Sequence, residues 1–472
     1  MNRVNNKIEK WIYRLNVAPI GKLDWVLFFL MAIFMYFTLF YEDLAIIYQH
    51  SLTFLDSAFH LDLGNFYANT LAKPYNGVGA VYYWTVYLVI GIWNIPIWIV
   101  SQFIDIDIFS VKCLLWCKLE IVFFFVLVIW ILGKILREYG YGKSNIRLAQ
   151  FMFATALMTV MPTLATAQVD IITVFLILYG TYEYLKTDVI TRKCVLIFAF
   201  AASLKIFALF VFIPLVLLRE KRILAVLVDI MGGLLFIASS FVFYGWRNDY
   251  HESSDFLTDI MTTRLFATFV PGGNCGIPIF SALFVIICIW SYVTCVEKKE
   301  DYFYYANWIS LVVFGTFFTC VFSHPYWIVL LSPYIIFSCM QNGKSRKVNF
   351  ILEFFINVAV SIYYIGSFGV YITDGSFSFL ILSKIAPISS KEIGSASQWF
   401  QGTEIYLPVL YGIFAACLLA FIVINYPENM PKTIEERKQV CENEVFDHGM
   451  IYLRLLMILV FILANIYISY VV

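Results

Sequence analysis

Apolar segments of about 20 residues follow one another along almost the whole chain, and the short polar stretches between them divide lysine and arginine very unevenly. A helix needs about 20 mostly apolar residues to cross the hydrocarbon of a bilayer, and it must satisfy its own backbone hydrogen bonds there. The pattern therefore restricts the chain to an all-α polytopic membrane protein. Composition agrees, since 61% of the 472 residues are hydrophobic, 14% are charged and the mean hydropathy is +0.82. Soluble domains average about 25% charged residues, and a single soluble core stops growing at roughly 250–300 residues. The 32 basic and 32 acidic residues cancel, which excludes a nucleic-acid partner, because that needs a concentrated basic surface. Most cysteines, among them Cys113, Cys117, Cys194, Cys288 and Cys320, lie inside apolar runs and read as small buried hydrophobes. No cysteine or histidine spacing of the zinc type occurs.

Cytoplasmic loops hold the excess of lysine and arginine. Arg3, Lys7, Lys10, Arg14 and Lys22 place a tail at 1–24 in the cytoplasm and send the first span, 25–41, outward. That segment lacks a small-residue cleavage site and reads as an uncleaved span. Further clusters at Lys134 to Arg147, Lys186 to Lys193, Arg219 to Arg222 and Lys344 to Lys347 mark the same side. Between them spans are expected at 114–133, 148–163, 169–186, 223–244, 277–295, 305–322, 326–340, 350–370, 407–425 and 451–471. Crossing at 82–99 would bring Asp105 and Asp107 inside, so this stretch reads as a re-entrant or interfacial segment broken at Gly91, Asn94 and Pro96. Residues 194–218 are apolar with basic clusters at both ends and Lys205 near the middle, which predicts a hairpin of two short helices with Lys205 at the outer apex. The expectation is about 11–13 membrane helices with a large first external loop, 42–112, carrying in-plane or re-entrant helices. A catalytic transmembrane module covers 25–345, and residues 346–472 add helices, a second external loop at 371–408 and a cytoplasmic linker at 427–448.

Polar residues gather on the expected outer side. Glu42 and Asp43 follow the first span, and His50, Asp56, His60 and Asp62 come after them. A carboxylate fixed at a helix end beside a lipid-facing groove can act as general base toward an acceptor hydroxyl, although acids also simply flank helix ends. Gln168 and Asp170 stand at the outer turn of an otherwise apolar hairpin, where they serve either an interhelical hydrogen bond or a site. An intramembrane lysine costs about 2.5–3.5 kcal/mol on insertion scales, so Lys205 calls for an anionic partner, internal or bound. Ser323, His324, Pro325, Tyr326 and Trp327 form another outer turn, and the loop 245–276 offers Trp246, Arg247, Asp249, Arg264 and Asn274, with arginine suited to phosphate.

These pieces, in this order, resemble the GT-C fold glycosyltransferases, membrane enzymes that use polyprenyl-phosphate-linked sugars, and in particular their bacterial mannosyltransferase-like branch. The likeness runs through Glu42-Asp43, Leu55-Asp56 ahead of Asn65-Phe66-Tyr67, Tyr83-Trp84, Ala167-Gln168-Val169-Asp170, Ser203-Leu204-Lys205 before Pro214 and the Arg219 to Arg222 cluster, and Ser323-His324-Pro325-Tyr326 before Pro333. Ala167 stands where that family often has glycine. The resemblance implies transfer of a sugar from a polyprenyl-phosphate donor to a lipid- or glycan-linked acceptor, with inversion, outside a bacterial plasma membrane. It makes Asp43 the first candidate base and Asp56 the second, Lys205 the phosphate ligand, and Arg264 and His324 further phosphate contacts. Asp62, Gln168, Asp170 and Tyr326 complete the expected substrate-binding set. No cofactor is indicated, although external acids offer oxygens of the kind Mg2+ takes. Two rival readings use the same charges: a transporter or flippase for a lipid-linked or anionic solute, and a polysaccharide polymerase or ligase. The absence of internal repeats weighs against the first, and the lack of arginine in 371–408 against the second.

Overall fold

The computed structural model describes residues 20–41, 43–73, 79–108, 110–271, 276–368, 377–379, 405–430 and 448–471. Glu42, Asn274, most of the N-terminal tail, nearly all of the loop 371–408 and most of the linker 427–448 lie outside them. Six of the described helices are long and apolar enough to cross a membrane, or eight when two bent pairs each count as one span. Ala208–Arg219, Ile279–Val293 and Pro325–Gln341 are shorter apolar helical segments. The chain is a multi-pass helical membrane protein. It divides into two compact units, one of Met1–Phe40, Ile129–Ala165 and Leu331–Val472, the other of Tyr41–Val128 and Thr166–Leu330.

The first unit contains α1 (Lys22–Thr38), the end of α4 (Val111–Glu138), α5 (Lys143–Thr155), α14 (Ser332–Gln341), α15 (Arg346–Phe368), α16 (Tyr406–Ile424) and α17 (His448–Val471). The expected span at 148–163 is not straight: α5 stops at Thr155 and the chain resumes as Leu157–Ala165 at an angle of 60°. A break at membrane depth survives only if neighbours take the freed backbone groups. Here the Met158 N–H donates to Asn357 Oδ1 at 3.1 Å, and Arg454 donates to the Met152 carbonyl and, at 3.0 Å, to Thr155 Oγ1. Asn357 also donates to Glu353 Oε1 at 2.8 Å, and Glu353 Oε2 pairs with Arg454.

The second unit holds α2 (Asp43–Phe59), α3 (Trp84–Ser101), the start of α4, α6 (Asp170–Lys186), α7 (Arg192–Leu204), α8 (Ala208–Arg219), α9 (Ile223–Gly233), α10 (Leu235–Tyr244), α11 (Asn248–Phe266), α12 (Ile279–Val293) and α13 (Tyr302–Cys320). The interruption expected in 82–99 does not occur. α3 is one unbroken helix: Asn94 Nδ2 turns sideways and donates to Ser51 Oγ of α2 at 2.9 Å, and Pro96 removes only one intrahelical bond. Phe59 and Trp98 stack at 4.2 Å further along the same pair. The segment 245–276 is likewise mostly helix, as α11, rather than open loop.

Residues 194–218 fold as the charge pattern requires. α7 ends at Leu204, Lys205 takes an extended conformation, and α8 starts at Ala208. α6 packs along this hairpin, and Gly180 lets it approach so closely that a Cβ there would lie 2.8 Å from the Phe198 ring. Charged contacts fix both ends. Glu183 of α6 pairs with Lys193 at 2.8 Å, and Arg219 donates to the carbonyls of Tyr184 and Thr187 while lying between the rings of Tyr184 and Tyr302. At the opposite end, about 20 Å away at 1.5 Å per residue, Asp170 meets Lys205 at 3.5 Å.

Candidate active site

The approach to Asp170 is distorted. Ala167 adopts φ +54°, a left-handed conformation that costs an alanine roughly 1–2 kcal/mol. This turn starts α6 at Asp170 and leaves Gln168 buried, with its Nε2 lacking a hydrogen-bond partner. Asp170 is buried too, and neither carboxylate oxygen makes a hydrogen bond within the usual limits, so its contact with Lys205 is a long ion pair. The Lys205 ammonium also lies 3.4 Å from the Tyr82 hydroxyl and 4.6 Å from the centre of that ring. Burial holds the Tyr82 phenol above its ordinary pKa, although Lys205 opposes the shift.

A second acid belongs to the same electrostatic neighbourhood. Asp43 begins α2, and its Oδ2 accepts a hydrogen bond from the Tyr326 hydroxyl at 3.1 Å across 283 residues of sequence. The Tyr326 phenol feels Asp43, Tyr82, Tyr41 and Asp170 together. Its ring lies 4.0 Å from that of His324. Burial, reinforced by Arg264 and Lys205, pushes His324 down to about 3, so the imidazole is neutral at physiological pH. Arg264, in the last turn of α11, places its guanidinium 5.5 Å from the Phe322 ring and 5.8 Å from the Trp327 ring. No acid among the described residues pairs with it.

Lys205, Tyr82 and Trp327 open onto a cavity of about 380 Å³. Its remaining wall is mostly α11, through Tyr250, Ser254, Thr258, Met261 and Leu265, together with Phe207 and Phe241. A volume in the range of about 300–1,000 Å³, largely apolar walls and a few converging polar groups describe a small-molecule site.

The structure thus brings together Asp43, Gln168, Asp170, Lys205, Arg264, His324 and Tyr326. Asp56 and Asp62 do not join them. Asp56 is exposed, about 20 Å from Asp43 along α2 at 1.5 Å per residue. Its Oδ1 accepts from Trp98 Nε1 at 2.6 Å and from Gln102 Nε2 at 3.4 Å, which ties the ends of α2 and α3. Asp62 serves its own turn, accepting from Asn65 at 2.6 Å and from Asn69 at 3.3 Å. Tyr82 and the cavity face of α11 escape sequence reasoning. A tyrosine before an apolar helix carries no distinguishing signal, and the hydroxyl residues of α11 matter only once their spacing is known to be helical.

Residues 96–272 match the model of glycosyltransferase family 87, a segment that contains Gln168, Asp170, Lys205 and Arg264. The chain is a membrane glycosyltransferase. The match bears out the resemblance to GT-C enzymes read from the sequence. Among solved structures, ArnT from Cupriavidus metallidurans, crystallised with undecaprenyl phosphate, is similar at 12% identity and a TM-score of 0.41, over 87% of this chain and 78% of that one. No curated protein matches the chain.

Proposed function

We propose that the cavity binds a polyprenyl-phosphate-linked sugar and that the glycosyltransferase passes this sugar, with inversion, to a hydroxyl of a lipid- or glycan-linked acceptor outside a bacterial plasma membrane. One observation carries the reading: Lys205 lines a largely apolar cavity with Asp170 paired behind it, and Arg264 stands beside Trp327 of the cavity wall, while Asp43 is held by Tyr326 in the same electrostatic neighbourhood. A polyprenyl chain needs the apolar wall and its phosphate needs the cations.

Arg264 is the primary phosphate ligand on this reading. No acid among the described residues pairs with its fork, two aromatic rings flank it, and a guanidinium can hold two phosphate oxygens at once. Lys205 is half neutralised by Asp170 and gives a second, adjustable contact. The acceptor oxygen forms its bond to the anomeric carbon as the bond from that carbon to the phosphate oxygen breaks. The leaving phosphate keeps the electron pair, and the charge that grows on it is stabilised by Arg264 and Lys205. Phosphate is already a good leaving group, so a general acid is unnecessary. The proton of the acceptor hydroxyl passes to Asp43, held in place by Tyr326. His324, being neutral, contributes a hydrogen bond rather than a charge.

Trp327 beside Arg264 is a built-in reporter. Titrating the protein in nanodiscs with undecaprenyl phosphate is expected to change tryptophan fluorescence saturably. Arg264→Gln should weaken that binding about 10- to 100-fold, the worth of a charge-assisted hydrogen bond of about 1.5–3 kcal/mol. Undiminished affinity in the variant would remove Arg264 from the site and the phosphate with it.

A further inference from the structure

We infer that the cavity-facing side of α11 is the subsite that reads the hydroxyl groups of the transferred sugar, an inference that rests on the polyprenyl-phosphate-sugar reading above. Tyr250, Ser254, Thr258, Met261, Thr262 and Leu265 all line the cavity, and their spacing of three to four residues puts them on one helical face. His251 and Asp255 line it beside them. A helix that packs on a membrane domain ordinarily turns an apolar stripe inward, but the face that α11 turns to the cavity mixes Tyr250, Met261 and Leu265 with the hydroxyl residues Ser254, Thr258 and Thr262. The burial of Tyr250 and half-burial of Met261 and Leu265 explain why this helix packs here, but not why Ser254, Thr258 and Thr262 share the cavity face. Hydroxyls facing a site from which a ligand displaces water need partners in the ligand, or the binding loses their hydrogen bonds.

The donor and acceptor inventory selects a polyhydroxyl ring. Serine and threonine both donate and accept, and a carboxylate accepts from two hydroxyls at once. Asp255 is available for this: its side chain is 64% exposed, and among the described residues its ion pair is a 3.7 Å contact with His251. The other nitrogen of His251 lies 2.8 Å from the Gly245 carbonyl, so the imidazole ties the carboxylate to the end of α10 and holds it at the cavity rim. The rings of Tyr82, Tyr83, Phe241 and Trp327 also line the cavity, flat apolar surfaces for the C–H face of a pyranose.

Order along the helix agrees. Arg264 is near the C-terminal end of α11, and a phosphate held there with its sugar extended along the helix meets Thr262, then Thr258, and reaches Asp255 about 13 Å from Arg264 at 1.5 Å per residue. A carboxylate at that position favours an uncharged hexose and disfavours a uronic acid, by like-charge repulsion.

The test compares binding of bare undecaprenyl phosphate with binding of undecaprenyl-phosphate-linked glucose, galactose and mannose to the full-length protein in nanodiscs. The wild type is expected to bind at least one sugar-bearing lipid more tightly than the bare lipid. Asp255→Asn and Thr258→Val should each reduce that preference about tenfold, the loss of one hydrogen bond to a charged or desolvated group, while leaving bare-lipid affinity unchanged. Equal weakening of bare and sugar-bearing lipids, or an intact preference in both variants, overturns the inference. So does a wild type with no preference for any of the three. A wild type that binds no undecaprenyl phosphate overturns both readings together, whereas intact phosphate binding with an unaltered sugar preference overturns this one alone.

Discussion

Each compact unit of the molecule buries an ion pair, and the two are built to opposite standards. In the first unit, Glu353 and Arg454 are 1% and 6% exposed, and every part of the pair is used. Asn357 donates to one carboxylate oxygen and Arg454 to the other, and the guanidinium goes on to serve Thr155 Oγ1 and the Met152 carbonyl. In the second unit, Lys205 and Asp170 meet at 3.5 Å, Asp170 is under-bonded, Gln168 Nε2 lacks a partner and a cavity opens beside them. A buried pair is stable only when its remaining hydrogen-bonding capacity is met. The first pair closes a broken helix and has nothing to spare. The second keeps capacity in reserve, which is what a charged ligand requires.

The contrast can be broken most forcefully at the chemistry that only the loose cluster serves. Asp43→Asn should lower kcat about 10²- to 10⁴-fold in a sugar-transfer assay, the usual contribution of a general base, while undecaprenyl phosphate binds as before. Next in size is the difference in stability between the two pairs. Glu353→Ala strands Arg454 and should cost about 3–5 kcal/mol of unfolding free energy, seen as a fall in Tm, with activity per folded molecule retained. Asp170→Asn should cost much less stability, and by freeing Lys205 it should tighten undecaprenyl phosphate binding about fivefold, equivalent to about 1 kcal/mol. If instead Asp170→Asn is the more destabilising and leaves lipid affinity unchanged, the Lys205 pair is structural and the contrast collapses. The smallest effect concerns the turn that delivers Asp170. Ala167→Gly removes a left-handed alanine and should raise stability by about 1 kcal/mol after the entropy of the added glycine, read as a higher Tm.

Much of the helical layout was legible because lipid leaves the sequence few options. The span expected at 169–186 is α6, that at 305–322 is α13, and the pair of short helices around Lys205 follows from basic clusters at both ends of one apolar run. Bends were not legible. The turn at Ala156 depends on Asn357 and Arg454, about 200 and 300 residues away, and no local signal announces such partners. The converse error came at Gly91, Asn94 and Pro96, where breaker residues sit in a continuous helix and the Asn94 amide is engaged sideways by Ser51 of α2. At the site, the chemistry of Asp43, Lys205, Arg264 and Tyr326 was visible residue by residue, but the pairings that rank them were not. Lys205 has an acid beside it and Arg264 pairs with none among the described residues, so the proposed order of phosphate ligands is the reverse of the one the resemblance implies. Asp56 looked like Asp43 in sequence, since both are acids on α2. Only the fold shows that one points to Tyr326 and the other to Trp98.

The central claim is that the loosely bonded cluster around Lys205 is the place where a lipid-linked phosphate binds. Cryo-EM of the full chain in nanodiscs with undecaprenyl phosphate tests it most directly. Phosphate density is expected within hydrogen-bonding distance of both Arg264 and Lys205, with Asp43 facing the same cavity and Glu353–Arg454 unchanged. Phosphate bound elsewhere, with Lys205 closed onto Asp170 and the cavity empty, would contradict the claim.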